Sequence, residues 1–220
     1  DCDSVDMIKL QGAWNEMIKQ HGMMRVVINS DGMQQILRDV PEYKIPIVSL
    51  KDVDSYIMER MLKNIRREMS HQVIETGTWP LFDVRATVID QSKVRIHVSF
   101  DNLIFDGWSM FHLLHQWAER YLDEIDKIPS LEISFRDYVI ALEKIKESET
   151  YEEDKKYWLE RIEKFLLAPE LPLAKSESEI INQEFKRRSY YLSENEWISL
   201  KNYAKKFGIT PAVLLITAYA

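Results

Sequence analysis

The sequence predicts an α/β protein with one lobe to about residue 167 (1–167), a linker at 168–182, and the beginning of a second lobe at 183–220. Three features lead to it. Residues 82–89 and 93–100 form two runs around a short polar turn, the second strictly alternating apolar and polar residues. Apolar positions recur at helical spacing before and after that pair. A stretch at 168–181, with two prolines, serines and charges, interrupts the pattern.

Each element follows in order. Ser4 is read as the cap of a helix to about His21, with Val5, Ile8, Trp14, Met17 and Ile18 on one side and Gly22 as its stop. A strand is expected at 24–28, then a turn at Asn29-Ser-Asp-Gly32, then a strand at 34–37 pairing back. Another short strand is expected at 45–48, and Asp54 opens a long helix to about Val73.

In the hairpin, Val94, Ile96, Val98 and Phe100 alternate with Lys93, Arg95, His97 and Ser99 around the turn Asp90-Gln-Ser92. A loop at 101–106 leads into a helix from Gly107 to about Leu122, whose apolar side is marked by Trp108, Phe111, Leu114, Trp117, Ala118 and Tyr121. Helices at 134–147 and 151–165 come next. Beyond the linker stand a strand at 184–192 and a helix at 193–207 capped by Ser193 with Glu196. Thr210-Pro211 opens a last helix. That helix is apolar and needs a cover, and position 1 is not Met, so more chain is expected beyond Ala220 and before Asp1.

Charge narrows the function classes. Acidic residues number 36 against 29 basic ones, a net charge of −7, and the basic runs Lys186-Arg187-Arg188 and Lys205-Lys206 are short and apart. Nucleic-acid binding is disfavoured, while a local basic patch for an acidic protein partner stays open. A single cysteine, Cys2, permits no internal disulfide or thiolate cluster, which fits a reducing cytoplasm. No apolar run is long enough for a membrane span, and no metal-ligand cluster, phosphate-cradling glycine loop or nucleophile elbow is present.

The segment that carries chemistry is His97-Val-Ser-Phe-Asp101-Asn-Leu-Ile-Phe-Asp106-Gly-Trp-Ser109. A buried strand ends, a loop with two carboxylates turns, and a helix begins. Such junctions hold active groups well, because rigid elements position the loop. Spacing alone leaves a plainer reading open: Asp106 as an N-cap and Asp101 as a turn residue.

The segment resembles the signature of the condensation superfamily, His-His-x-x-x-Asp-Gly at a strand–loop–helix junction. Asp101 and Asn102 stand at the two His positions, and Asp106-Gly107 is intact. The remaining pattern, Asp101-x4-Asp106-x2-Ser109, is similar to that of heterocyclization domains of nonribosomal peptide synthetases. Other landmarks agree in order: Gln20-His-Gly-Met-Met-Arg25, Gln34 through Pro41, Thr78 through Arg85, Phe135-Arg-Asp-Tyr-Val139, Tyr157-Trp158, and Pro169 through Pro172.

The resemblance implies a two-lobed, V-shaped fold in which each lobe is like chloramphenicol acetyltransferase, with a tunnel between the lobes. It implies joining of a carrier-bound acyl donor to carrier-bound Cys, Ser or Thr, followed by cyclodehydration to a thiazoline or oxazoline. An ordinary or degenerate condensation domain, or a non-catalytic carrier-docking module, are the alternatives. No cofactor is bound directly; substrates arrive on the phosphopantetheine of upstream and downstream carrier domains beside an adenylation domain.

Asp101, Asp106 and Ser109 are the candidate catalytic residues, and Arg25, Asn102 and Gly107 are the candidates for shaping the site. Asp106 is expected to pair with Arg25, since an Arg offers a fork of donors to a carboxylate. His97 lies on the strand face opposite Val94, Ile96 and Val98 and is read as a half-buried strand residue. His112 and His115 are read as packing or surface residues, and His21 and His71 show no partner in the sequence.

Overall fold

A computed structural model describes residues 1–123, 132–165, 172–173, 175–181 and 188–219. The chain forms two compact units, Asp1–Glu152 and Glu153–Ala220.

The first unit is built on a four-stranded sheet of order β1-β6-β5-β4. Strands β5 (Phe82–Val88) and β6 (Lys93–Phe100) are the expected hairpin, antiparallel from Phe82↔Phe100 to Val88↔Val94. Asp90 closes its turn by accepting from the backbone N–H groups of Ser92 and Lys93, both at 2.8 Å. β4 (Ile47–Ser49) runs parallel to β5, and β1 (Cys2–Asp3) adds to the far side of β6. A separate ribbon pairs β2 (Val26–Ile28) with β3 (Gln34–Ile36), as the turn at Asn29–Gly32 predicts.

α1 (Met7–Gln20) and α3 (Gly107–Tyr121) cover one face of the sheet. Trp14 is 0% exposed and meets Phe82, Phe100 and Trp117 at ring-centroid distances of 5.4, 6.1 and 4.6 Å. Trp117 donates its ring N–H to the Leu10 carbonyl at 3.0 Å, and the Tyr121 hydroxyl accepts from the Asp6 N–H at 3.0 Å. The two helices are thereby held antiparallel. On the other face α2 (Ser55–His71) sits with Met69 buried, and the Ser99 hydroxyl donates to the Met69 carbonyl at 3.3 Å.

Asn15 ties the segment before β4 to α1. Its amide donates to the carbonyls of Gln11 and Tyr43, both at 2.9 Å, and its oxygen accepts from the Tyr43 N–H at 2.7 Å. Gln11 accepts from the Ile45 N–H at 2.9 Å. The Tyr43 hydroxyl in turn accepts from the Val84 N–H at 2.8 Å and donates to the Val84 carbonyl at 3.1 Å. Burial pushes that hydroxyl above the usual tyrosine range.

Several expectations are corrected. Asp6, not Ser4, caps α1, accepting from Ile8 and Lys9; Ser4 adopts a positive φ of 54°. Residues 22–25 form a 3-10 turn, so the strand begins at Val26 rather than Met24. Ile45 lies before β4 because Gln11 has taken its N–H, and the strand extends to Ser49 instead.

In α3 the core side is Leu113 and Trp117, with Leu114 and Tyr121 partly buried, whereas Trp108 and Phe111 are 83% and 66% exposed. An apolar residue at helical spacing is thus a core residue only if the helix is turned that way, and Trp117 sets the turn.

α4 (Phe135–Ile145) and α6 (Glu194–Lys206) begin with capping boxes, Ser134 with Asp137 and Ser193 with Glu196. The second of these was expected. α5 (Glu149–Ile162) and α7 (Pro211–Tyr219) complete the order. Of the strand expected at 184–192, residues 184–187 lie outside the described residues and 188–192 carry no strand. The linker at 168–182 lies partly outside them as well.

Asn15 is 8% exposed and all three of its bonds are to backbone. Replacing it strands buried peptide groups at about 1–3 kcal/mol each where water cannot enter. Asn15→Ala is expected to lose about 2–3 kcal/mol in urea unfolding. A loss near zero would show that the clamp is dispensable.

Candidate functional site

The β6–α3 junction is built from backbone bonds made by its own carboxylates. The Asp101 N–H donates to the Leu81 carbonyl at 3.0 Å, extending the hairpin one residue past Phe100. Asp101 Oδ1 then accepts from the Leu103 N–H at 2.9 Å, and the Asp101 carbonyl from the Ile104 N–H at 3.1 Å. This is an Asx turn, the local bonding for which Asp is suited. Ile104, 5% exposed, anchors the loop in the core, and Phe105 stacks edge-on against Phe100 at 5.4 Å.

Asp106 is the N-cap of α3, at φ −86° and ψ 173°. Its Oδ1 accepts from the Ser109 N–H at 2.7 Å. The Ser109 hydroxyl first, and then that N–H, hold the Asp106 carboxyl below the usual aspartate range. The structure therefore brings Asp106 and Ser109 together and gives Asp101 the turn before them. Asn102, Gly107 and Ser109 are exposed. A Cβ on Gly107 would meet no atom within 4 Å, so local crowding does not require glycine there.

Arg25 does not pair with Asp106. Its guanidinium donates to the carbonyls of Ile18 and Lys19 at the end of α1, and its Nε donates to the Leu37 carbonyl at 3.1 Å. Orphan carbonyls at a helix C-terminus offer a cation the same fork of acceptors as a carboxylate, with the helix dipole adding to the attraction. Arg25 joins α1 to the β2–β3 ribbon, and Asp106 finds its donors in its own helix.

His97 lies as expected beside Arg95 and Ser99, opposite Arg85 in register. It is hydrogen-bonded to the buried Thr87 hydroxyl at 3.0 Å. Burial, then Arg95 and Arg85, lower its pKa and favour the neutral ring. Arg85 is held in turn by Asp83 and Glu68 at 2.8 and 2.7 Å.

His21 has a partner that no local signal in the sequence reveals. Its Nε2 meets Gln116 Oε1 at 2.8 Å, and Gln116 Nε2 meets His112 Nε2 at 3.0 Å. Only the antiparallel placement of α1 and α3 brings these groups together across 95 residues of sequence. His112 and His115 are exposed, as expected, with His115 beside Glu119 at 3.2 Å. Among the described residues no group of His, Cys, Asp or Glu is placed to hold a metal. No helix among them is long and apolar enough to cross a membrane.

The condensation-domain family matches residues 3–220. The chain belongs to that family. It is 32% identical over 217 residues to bacitracin synthase 1 of Bacillus licheniformis, and 29% identical over 221 residues to phenyloxazoline synthase MbtB of a Mycobacterium species. It covers 98% and 100% of itself in those matches, but only 4% and 18% of the relatives' own length. Among solved structures, the EpoB cyclization-docking bidomain from Sorangium cellulosum superposes with a TM-score of 0.84 at 30% identity. The match covers 99% of this chain and 44% of that one. The α/β architecture is thus that of a condensation domain, as its sequence predicts.

Two predictions follow from the local geometry. Asp106→Asn keeps an acceptor for the Ser109 N–H, so it is expected to keep more stability than Asp106→Ala in parallel urea titrations. Equal losses in the two variants would remove the cap from the account. The second concerns His21. Burial, the largest influence, lowers its pKa from 6.5 despite the Gln116 bond. As pH falls, the unfolded chain takes up this proton before the folded one does. The stability tied to neutral His21 is complete above about pH 6.5 and declines below it. The urea midpoint is expected to fall between about pH 7.5 and about pH 5.5, and less steeply in His21→Gln. An unchanged slope in that variant would dismiss His21 as a source.

Proposed function

We propose that the chain is part of a heterocyclization domain of a nonribosomal peptide synthetase. The observation that carries this reading is the replacement of the condensing His pair by Asp101 and Asn102, with Asp106, Gly107 and Ser109 kept at the β6–α3 junction. The likeness to MbtB, a phenyloxazoline synthase, and to the EpoB cyclization-docking bidomain supports it.

In the proposed reaction two carriers present phosphopantetheine thioesters. The amine of carrier-bound Cys, Ser or Thr attacks the donor thioester carbonyl; the C–S bond breaks and the donor carrier's thiol leaves with a proton. The acceptor's side-chain thiol or hydroxyl then adds to the new amide carbonyl. Loss of the former carbonyl oxygen as water leaves a C=N bond in a thiazoline or oxazoline.

Within this scheme Asp101 has one oxygen committed to the Leu103 N–H. Its other carboxylate oxygen is assigned to proton handling near the reacting groups, a task in which a positioned carboxylate contributes roughly a hundredfold or more. Asp106 and Ser109 hold each other and the start of α3, so their part is to fix the loop. Adjacent adenylation and carrier domains complete the assembly.

The test is an assay with both carriers loaded in the complete synthetase, reading products by mass. Cyclisation removes one water from the linear amide. Asp101→Ala is expected to lower ring formation about a hundredfold, and Ser109→Ala about tenfold or less, as for one lost hydrogen bond. An unchanged ring rate in Asp101→Ala removes it from the chemistry. A wild-type product that retains the water shows amide synthesis alone and overturns the heterocyclization reading.

A further inference from the structure

The outer face of α2 carries a line of cations that the site does not use. Met69 is buried against the sheet and Met58, Leu62 and Ile65 are half-buried, which fixes the inner side of the helix. The opposite side presents Tyr56, Arg60, Lys63, Arg67 and His71, all exposed, at spacings of four, three, four and four residues. With a rise of about 1.5 Å per residue the line spans about 22 Å.

No carboxylate interrupts it. Lys63 bonds Glu59 from the flank at 2.8 Å. Among the described residues no carboxylate pairs with Arg60, Arg66 or Arg67. The helix dipole accounts for cations in the last turn, but Arg60 lies in the first half of the 17-residue helix. The chain as a whole carries a charge of −7, so this face reverses the prevailing sign. It is also rich in Arg, with an 72% exposed Tyr at its head, the residue types that anchor interfaces and take carboxylates by two bonds.

We infer that the outer face of α2 is a docking surface for an acidic helical face of a partner protein, one with carboxylates about a helical turn apart. A partner helix repeating carboxylates at three- and four-residue spacings presents them in a line of the same pitch. Its length matches about four turns of the partner. Arg60 and Arg67 supply the paired bonds, Lys63 a point charge, and Tyr56 the apolar anchor at one end. Rim charges of this kind govern association rate and salt dependence most strongly.

The experiment uses a fluorescent helical peptide with Glu at positions i, i+4, i+7 and i+11, and a Gln-substituted control, titrated against the chain by anisotropy. Expected are binding of the Glu peptide only, weakening with added salt, and a loss of about tenfold in the double variant Arg60→Gln/Arg67→Gln. Far-UV circular dichroism of that variant should match the parent, since neither side chain pairs with a carboxylate among the described residues. In the full natural polypeptide, zero-length carbodiimide coupling should join Lys63 to a carboxylate outside residues 1–220. Equal binding of the Gln control, or no loss in the variant, overturns the inference. Tighter binding of duplex DNA with the same loss would replace a protein partner by a phosphate backbone. Coupling of Lys63 only to Glu59 overturns it too.

Discussion

The burial of Trp14 is the interaction on which the first unit depends. Its ring is shut away between Phe82, Phe100 and Trp117, so one side chain joins α1 to β5, β6 and α3. Aromatic contacts of this kind add about 0.5–1.5 kcal/mol each beyond the area they bury. Their larger effect here is geometric. Phe100 ends β6 and Trp117 lies in α3, so the loop between them is held from both sides by the same ring.

That constraint explains why the junction can spend its carboxylates on itself. With the strand end and the helix fixed, the loop must turn within a few residues, and backbone N–H groups would be left without acceptors. Asp101 takes the Leu103 N–H, Asp106 the Ser109 N–H, and Ile104 plugs the loop into the core. The carboxylates that the motif singles out are thus the groups that set the loop joining β6 to α3.

The two faces of the sheet carry different chemistry. On the α1–α3 side the contacts are aromatic and aliphatic. On the α2 side Asp83, Arg85, Thr87, Arg95, His97 and Ser99 form a polar layer, satisfied by one another, by Asp1 and by α2. A half-buried polar layer is stable only when its groups are paired. α2 turns Met58, Leu62, Ile65 and Met69 inward, meets this layer through Glu68 and the Met69 carbonyl, and leaves its outer side charged.

Local rules made much of this legible. Alternation set the β5–β6 hairpin, turn residues set the β2–β3 ribbon, and caps at Asp54 and Ser193 set two helix starts. The motif placed Asp101 through Ser109 at a strand–helix junction, because each of those signals acts within a few residues. What the sequence could not decide was which distant group each polar side chain would meet. Arg25 went to the carbonyls at the end of α1 rather than to Asp106, and His21 found Gln116. Asn15, at a helical position like any other, became the clamp on Tyr43. Trp108 and Phe111 turned outward because Trp117 had fixed the rotation of α3. Periodicity gives a helix its stripe, and only packing against the other elements decides which stripe faces in.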